Sequence, residues 1–331
     1  MFHLIVKLCL FLVAKIFKNL TISPYMRNSL NETHPFSKII FALFIIMSTF
    51  LITFLVGLLF ALPIFSIQFS DIPVILSNIE NPENINFIKY LQTLQSIGLF
   101  ILPAFIIAFL FSNNSLSFLQ FKSNISVSSV LLVIFIMFCS IPLINFFAKL
   151  NADMHLPGFL KSIEVWMREK ENSAQQLTEA FLKMDSLQSL IFNIFMIGIL
   201  PAIGEELIFR GVFQRLFAEW TKNIHWGILI AAILFSGMHM QFYGFIPRML
   251  LGVLFGYLFY WSGSIWFPIA GHFINNTAAV VFYYLYTDQV TEKIDSIGAS
   301  KETYYYLISG AVILSFLLWY FYKSEKREKM I

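Results

Sequence analysis

Long apolar stretches separated by short polar segments run through most of this chain. Eight of them approach or exceed the roughly 20 residues that a helix needs to cross the hydrocarbon core of a bilayer. They are predicted at residues 39–62, 93–112, 127–148, 188–216, 227–242, 246–262, 265–285 and 304–322. The pattern therefore predicts an all-α, polytopic membrane bundle of about eight transmembrane helices.

The N-terminal segment has a different pattern. Lys7 interrupts its first apolar run and no small-residue cleavage pattern follows, so a cleaved signal peptide is not favoured. On a helix of about 100° per residue, four basic side chains fall on one side. They are His3, Lys7, Lys15 and Lys18. We therefore predict an amphipathic helix that lies in the cytoplasmic interface, not a ninth span.

Composition supports a membrane protein and narrows the classes of partner. Of the 331 residues, 58% are hydrophobic and 12% are charged, and the mean hydropathy is +0.75, which are not values of a soluble domain. The net charge of +3 is too small to indicate a nucleic-acid partner. Cys9 and Cys139 lie far apart in apolar runs, so neither a disulfide framework nor a thiolate metal site is indicated.

Basic residues are distributed unevenly among the connecting segments. If the odd-numbered spans run outward from the cytoplasm, the cytoplasmic segments have an excess of Lys and Arg, and the outer loops an excess of acidic residues. The positive-inside rule then places both termini in the cytoplasm. The outer loop at 149–186 mixes charged and apolar residues at helical spacing. This spacing predicts an amphipathic surface helix or, alternatively, a cap over a cavity on that side.

Ionisable and amide side chains interrupt three of the predicted spans. A charge at the bilayer centre costs at least about 2.5–3.5 kcal/mol, so such groups face protein or trapped water and are functional candidates. They are Glu205, Glu206 and Arg210 in the fourth span, His239 in the fifth, and His272 with Asn276 in the seventh. If the fourth helix continues past the membrane surface, helical rise places all of them in one layer.

The spacing within each helix separates the roles of these groups. Glu206 and Arg210 are four residues apart, with the acid nearer the N-terminus, which predicts a buried ion pair. His272 and Asn276 are also four apart and share a face. Glu205 is offset from Glu206 by about 100° and lacks that partner. Two neighbouring carboxylates in different environments are expected to have different functions.

The chemistry that fits is the hydrolysis of a peptide bond. Pro201 is expected to kink the helix and to open room for water beside Glu205. Glu205 would activate that water, His239 would position or polarise it, and His272 with Asn276 would donate hydrogen bonds to the oxyanion. Alternatively, Glu205, His239 and His272 would bind a divalent metal such as zinc, which lowers the pKa of its bound water. The residues leave both mechanisms open.

Three short motifs carry a resemblance to a known family. EELIFR fits an EExxxR motif, FSGMH fits FxxxH, and HFINN fits HxxxN, in this order along residues 187–285. These motifs resemble those of the CPBP family of CAAX proteases and bacteriocin-processing enzymes, which includes the type II CAAX prenyl endopeptidases. The resemblance implies an intramembrane endopeptidase that uses a glutamate-activated water without an obligatory metal, although members are commonly labelled metalloproteases.

The resemblance also implies the function of each motif residue. Glu205 is implied as the catalytic glutamate, with His239 beside it on the water. His272 and Asn276 are implied as the oxyanion side of the site. Glu206 and Arg210 are implied as the supporting acid and base.

On this interpretation the chain has four parts. Residues 1–38 form the cytoplasmic amphipathic segment, and residues 39–186 form three transmembrane helices with the outer helical loop. Residues 187–285 form the catalytic core of four transmembrane helices. Residues 286–331 form the last span and a basic cytoplasmic tail. The expected location is the bacterial inner membrane, and the expected substrate is a membrane protein or a lipidated, CAAX-like peptide.

Two other classes of protein compete with the enzyme. A non-catalytic scaffold or bacteriocin self-immunity protein of the same fold would tolerate the loss of the Glu205 carboxylate. A proton-coupled transporter also needs buried Glu and His residues, but its ionisable groups should form a relay across the bilayer. Here the groups are predicted to cluster in one layer, which favours the enzyme.

Overall fold

The structure of the chain is a computed structural model that describes residues 30, 32–79, 81–121, 125–286 and 293–328. Every regular element in these residues is helical, which confirms the predicted all-α class. Residues 1–29 contain nearly all of the predicted N-terminal amphipathic helix and lie outside the described residues. That helix therefore stays a prediction.

The helices of the described residues are numbered in chain order. They are α1 (Pro35–Phe65), α2 (Ile72–Ser77), α3 (Pro82–Ser96, Ile97–Ile101 and Leu102–Phe111 in succession), α4 (Ser115–Phe118), α5 (Val127–Ala152), α6 (Lys161–Leu182), α7 (Leu187–Thr221), α8 (Ile224–Gly237), α9 (Phe245–Ser262), α10 (Trp266–Leu285) and α11 (Tyr304–Glu328). Short 3₁₀ turns occupy Phe69–Asp71, Gly158–Leu160, Phe242–Gly244 and Lys301–Thr303. A helix is present at each of the eight predicted spans.

Within the described residues, six helical stretches are long and apolar enough to cross a membrane. They are Pro35–Phe65, Glu83–Phe111, Val127–Ala152, Leu187–Thr221, Phe242–Ser262 and Lys301–Glu325. The fifth and seventh predicted spans do not meet this standard. α8 has only 14 residues, or about 21 Å of helix, and α10 is interrupted by polar residues such as Asn275.

The end of the fifth span was predicted incorrectly. The sequence placed it at residue 242, whereas α8 ends at Gly237 and a turn follows in which Met240 has a positive φ of 53°. The hydroxyl of Ser236 donates to the carbonyl of Phe245, so the end of α8 is fixed to the start of α9. His239 therefore lies in the turn of a short helical hairpin and not inside a helix.

α7 positions the predicted catalytic residues and changes its winding twice. π-helical turns at Ile194–Ile199 and Leu207–Phe213 flank the segment that contains both glutamates. Pro201 lies at the start of the α-helical segment between them, so its missing N–H falls where the hydrogen-bond pattern already changes. As expected, the helix also continues past Leu216, to Thr221, and Glu219 in its last turns forms an ion pair with Lys38 of α1.

α7 is held between neighbouring helices by close packing. A Cβ on Gly204 would lie 2.7 Å from Cβ of Phe100, so only glycine lets α3 approach α7 this closely. An apolar cluster that includes Phe100, Ile208 and Phe209 fills the space between α1, α3 and α7. This packing holds the side of α7 that bears the two glutamates toward α8 and α10.

α6 forms the amphipathic helix predicted for the loop at 149–186. It packs on the short turn at Phe242–Gly244 that follows His239. We call the side of the bundle where α6 and this turn lie the α6 end. Glu171 accepts a hydrogen bond from the backbone N–H of Tyr243 at 2.9 Å, and Trp166 packs on Phe242 with ring centroids 5.1 Å apart. The guanidinium of Arg168 lies 4.3 Å from the ring centre of Tyr243. α6 therefore covers the hairpin of α8 and α9.

Candidate active site

The predicted pair of Glu206 and Arg210 is present on α7. Nη1 of Arg210 lies 2.9 Å from Oε1 of Glu206, and both side chains are almost completely buried. Nη2 of Arg210 donates to the carbonyl of Gly252 in α9 at 3.1 Å. The guanidinium also lies 4.7 Å from the ring centre of Phe235 in α8. Arg210 thus ties three helices together and keeps the Glu206 carboxylate next to a fixed positive charge.

His272 of α10 is attached to the same carboxylate oxygen. Its Nδ1 lies 2.7 Å from Oε1 of Glu206, and its ring stacks on Phe255 with a centroid distance of 5.5 Å. An ionised Glu206 can only accept, so Nδ1 carries the proton and donates it. When a carboxylate binds one ring nitrogen of a buried histidine, it also fixes the direction in which the other ring nitrogen points. That nitrogen, Nε2, lies 3.9 Å from Oε2 of Glu205.

Glu205 has a different environment from its neighbour. Its side chain is 12% exposed, and no described residue gives its buried Oε2 a hydrogen bond. The 3.9 Å separation from Nε2 of His272 is too long for a direct hydrogen bond but suits a bridging water. The two adjacent carboxylates are therefore arranged as the sequence suggested, one held in an ion pair and one available to a ligand.

His239 is held by its own hairpin. Its Nδ1 lies 2.8 Å from the carbonyl oxygen of Phe235 and donates to it, so in the neutral ring Nε2 is an acceptor. The imidazole of His239 is close enough to Glu205, His272 and Arg248 to interact with them electrostatically. The ring of Phe235 packs edge-on against both His239 and His272, at centroid distances of 5.3 and 5.8 Å.

Asn276 lies one turn from His272 and contacts α7. Its Nδ2 donates to the carbonyl of Ile197 at 3.0 Å, and its Oδ1 accepts from Asn275 at 3.2 Å. The Ile197 carbonyl belongs to the first π-helical turn of α7. One N–H of the Asn276 amide is thereby used in holding α10 to α7, which leaves the second N–H for a ligand.

Several polar residues near the site were missed or undervalued in the sequence. Gln214 is buried and its Nε2 donates to the carbonyl of Gly256, one turn along α7 from Arg210. Its four-residue spacing from Arg210 places it on the same face of the helix and could have indicated a buried polar residue. Nη2 of Arg248, in the first turn of α9, donates to Oε1 of Gln241 at 2.8 Å. Asn193 and Thr277 were not singled out, because isolated polar residues in apolar helices are weak signals.

Glu205, His239 and His272 are the residues that would hold zinc in the alternative mechanism. Zinc needs three protein ligands within about 2.0–2.3 Å of one point. No three His, Cys, Asp or Glu side chains in the described ranges are grouped closely enough to hold a metal ion. The zinc alternative therefore stays a prediction, and no chemical step is assigned to a metal.

Comparison with known proteins gives a family match and matches to curated relatives. The family described as type II CAAX prenyl endopeptidase Rce1-like matches residues 187–278. The chain is 26% identical over 111 residues to the Bacillus subtilis (strain 168) protein named "Uncharacterized protein YpbD", a match that covers 31% of this chain and 54% of that protein.

A second relative comes from the same organism. The chain is 30% identical over 128 residues to the Bacillus subtilis (strain 168) protein named "Putative membrane peptidase YdiL", covering 38% of this chain and 49% of that protein. The chain thus spans about half the length of the curated relatives it matches. No solved structure gave a significant match.

The matched residues contain all three motifs that carry the resemblance. The family match begins at the first residue of α7 and ends after the HxxxN motif in α10. The resemblance predicted from those motifs is therefore confirmed. Residues 187–278 of this polytopic helical membrane protein match the family described as type II CAAX prenyl endopeptidase Rce1-like.

Proposed function

We propose that this chain is an intramembrane endopeptidase in which Glu205 activates a water molecule that attacks a peptide carbonyl. The observation that supports this most strongly is the buried Oε2 of Glu205, which has no donor among the described residues and lies 3.9 Å from Nε2 of His272. A carboxylate with a free oxygen, facing an oriented imidazole, is the arrangement that a general base for water requires. The name of the relative YdiL agrees with this activity.

In the proposed reaction a water molecule bound at Glu205 gives one proton to the carboxylate as its oxygen attacks the carbonyl carbon. The carbonyl oxygen takes up negative charge and the carbon becomes tetrahedral. Glu205 then returns the proton to the amide nitrogen as the C–N bond breaks. The products are a carboxylic acid and an amine, and Glu205 is again ionised.

The two histidines have different hydrogen-bonding capacities in this reaction. Nδ1 of His239 donates to the carbonyl of Phe235, so its Nε2 can accept a hydrogen bond from the water and direct the water oxygen toward the substrate. Nδ1 of His272 is committed to Glu206, so its Nε2 donates to an oxyanion only when the ring is doubly protonated. The adjacent Glu206 carboxylate compensates that positive charge.

The remaining N–H of Asn276 is the second proposed donor to the oxyanion. It lies on the same face of α10 as His272, one turn away. Its amide is already oriented by the hydrogen bond to Ile197, so donation requires no reorganisation during the reaction. Glu206 and Arg210 act as positioning residues because they contact His272 and α9 and not the reacting atoms.

We propose a membrane protein or a lipidated, CAAX-like peptide as the substrate, and the bacterial inner membrane as the location, with both termini in the cytoplasm. The α6 end of the bundle is then the outer side. The excess of basic residues in the segments at the opposite end supports this orientation. A substrate held in the bilayer can reach a site built from helices without crossing an aqueous gap.

The proposal is tested by comparative membrane proteomics. Cells that produce the wild-type chain are compared with cells that produce Glu205→Gln, a variant of the same size without the base. New peptide ends that appear with the wild type and are missing with Glu205→Gln identify the substrate. Identical peptide ends in both strains would overturn the peptidase function and leave the non-catalytic scaffold or immunity protein. Glu219→Gln, on the same helix but paired with Lys38, is the matched control.

A further inference from the structure

Four buried polar atoms among the described residues have no hydrogen bond to the protein. They are Oδ1 of Asn193, Oε2 of Glu205, Oε2 of Glu206 and Oγ1 of Thr277. All four belong to α7 or α10, the two helices that meet at the candidate active site. Buried polar atoms in native proteins are almost always bonded, either to protein or to ordered water. Their confinement to one interface therefore points to bound water between these two helices.

The polar groups of α7 follow one side of the helix. Ser189, Asn193, the carbonyl of Ile197 and Glu205 are separated by four, four and eight residues. Four residues advance an α-helix by slightly more than a turn, so such a row drifts gradually around the axis. The π-helical turn at Ile194–Ile199 has more residues per turn and reduces this drift. Polar groups on this side of α7 thus extend from its first turn to the Ile197 carbonyl, and Glu205 follows after an interval of eight residues that contains Pro201.

The polar groups of α10 face this row at its middle. A Cβ on Gly198 would lie 2.5 Å from Oγ1 of Thr277, so the Thr277 hydroxyl lies directly against the backbone of α7. Asn276 bonds to the Ile197 carbonyl at the same level, and His272 lies one turn further toward Glu205. Thr277 therefore lies between Asn193 on one side and the catalytic carboxylate on the other.

The row begins at a cavity whose lining is partly polar. A cavity of about 640 Å³ at the α6 end is lined by Ser189 of α7, Tyr283 of α10 and Lys89 of α3. Lys183 and Asp185, on the segment that joins α6 to α7, complete its polar rim. A cavity of this size with several polar partners holds water. Ser189 lines the cavity, and Asn193, four residues later on α7, is fully buried.

The lipid-facing side of the same stretch of α7 offers no alternative route. Ile191 is 60% exposed, and Phe192 and Phe195 are also exposed, so this side presents apolar groups to the acyl chains. Water entering from there would have no hydrogen-bond partners. The polar row on the α10 side is the surface of this stretch that can solvate water.

We propose that a file of bound water molecules runs from the cavity, between α7 and α10, to the Glu205 carboxylate. If the proposed peptidase function holds, this file supplies the water that hydrolysis consumes. Asn193 and Glu205 are 12 residues apart, about 18 Å along the helix, which is the length of roughly six hydrogen-bonded waters. Asn193, Thr277 and the Ile197 carbonyl are the partners that would hold these molecules in the apolar interior.

Accessibility of single cysteines to silver ions tests the path. The full chain, with Cys9 and Cys139 replaced by alanine, is placed in lipid nanodiscs with one of two substitutions, Asn193→Cys or Thr277→Cys. Monovalent silver is a small, water-soluble thiol reagent that can enter a single file of water. Blocking is measured as protection from a polymer-linked maleimide that is added after denaturation. Leu207→Cys and Ile191→Cys are the controls, because Leu207 is buried in the apolar cluster on the opposite side of α7 from Glu205 and Ile191 faces lipid.

We expect silver to block Thr277→Cys and Asn193→Cys at least tenfold faster than Leu207→Cys and Ile191→Cys. A rate at Thr277→Cys equal to that at Leu207→Cys would overturn the water path. Asn193 also donates to the carbonyl of Phe181, so its replacement can disturb folding, whereas Thr277→Cys nearly preserves size and decides the question alone. Labelling needs no turnover. Fast labelling of a protein that cleaves no substrate would count against the peptidase function but would support the water path.

Discussion

A single oxygen atom, Oε1 of Glu206, bonds both Nδ1 of His272 at 2.7 Å and Nη1 of Arg210 at 2.9 Å. The sequence predicted the contact with Arg210 from a four-residue spacing within one helix. The contact with His272 joins residues that are 66 positions apart and depends on how α7 and α10 pack. Through this oxygen, the charge on α7 fixes the tautomer of the imidazole on α10.

Removing the Glu206 charge should therefore destabilise the protein as well as the site. Glu206→Gln leaves the buried Arg210 without its carboxylate, and breaking a buried ion pair by removing one partner typically costs about 3–5 kcal/mol. The double variant Glu206→Gln with Arg210→Met should recover part of this loss, since neither charge then remains buried. Thermal or denaturant unfolding in detergent measures both. Equal destabilisation in the single and double variants would contradict the coupling.

Asn276 and its neighbour Asn275 provide a matched pair for the oxyanion assignment. We expect Asn276→Ala to lower kcat by about 10²–10³-fold with little change in KM, because removing one oxyanion donor costs that much. Asn275 donates only to the Asn276 side-chain oxygen among the contacts described, so Asn275→Ala should keep most of the activity. Steady-state kinetics on a cleaved peptide gives the comparison. Equal losses in the two variants would assign Asn276 to helix packing alone.

The docking of α6 should depend on pH through Glu164. Hydrogen bonds from His155 and Arg168 hold the pKa of this carboxyl at about 2, below its ordinary value of 4.5. A depressed folded-state pKa gives a stabilisation that is complete above the unfolded value and is lost as the pH falls toward the folded one. Amide hydrogen exchange in α6, corrected for the intrinsic rate, should thus show less protection as the pH falls from about 5 toward 2.

The matched variant for this prediction is Glu164→Gln, which cannot ionise. Its α6 should be less protected than the wild type near neutral pH, and that protection should change little as the pH falls. An equally steep loss of protection in both proteins would show that another group controls the docking of α6.

Metal removal distinguishes the two mechanisms that the sequence left open. The predicted zinc ligands are Glu205, His239 and His272, and no three His, Cys, Asp or Glu side chains in the described ranges are grouped closely enough to hold a metal ion. We therefore expect the purified protein to keep its activity after treatment with a strong chelator, with metal content measured on the same sample. Loss of activity that stoichiometric zinc restores would contradict the proposed mechanism, in which Glu205 activates the water without a metal.

The sequence predicted the helical class and the position of every long helix because apolar runs of membrane length are strong signals. It also placed Glu205 with His272, and Glu206 with Arg210, in one layer through helical rise and spacing. It failed at the end of α8, where a turn beginning after Gly237 shortens an apolar run that looked long enough to span. Local capping and turn conformation, which the hydropathy pattern does not contain, determined that end.

The sequence could not predict which atoms of different helices would be in contact. Nothing in the pattern distinguished which glutamate would bond to His272, since both lie on the same turn of α7. Asn193 and Thr277 carry no motif, and their common property, a buried atom without a protein partner among the described residues, appears only when α7 and α10 are packed. Spacing therefore predicted which residues share a layer, and packing determined which atoms meet.

The most direct test of the central claim is the turnover of Glu205→Gln on an identified membrane peptide in lipid, measured beside Glu219→Gln. A general base contributes about 10²–10⁴-fold, so Glu205→Gln should lose at least 10²-fold in kcat while its unfolding temperature stays near that of the wild type. Glu219→Gln should cleave at close to the wild-type rate. Wild-type turnover by a folded Glu205→Gln protein would contradict the assignment of this carboxylate as the base that activates water.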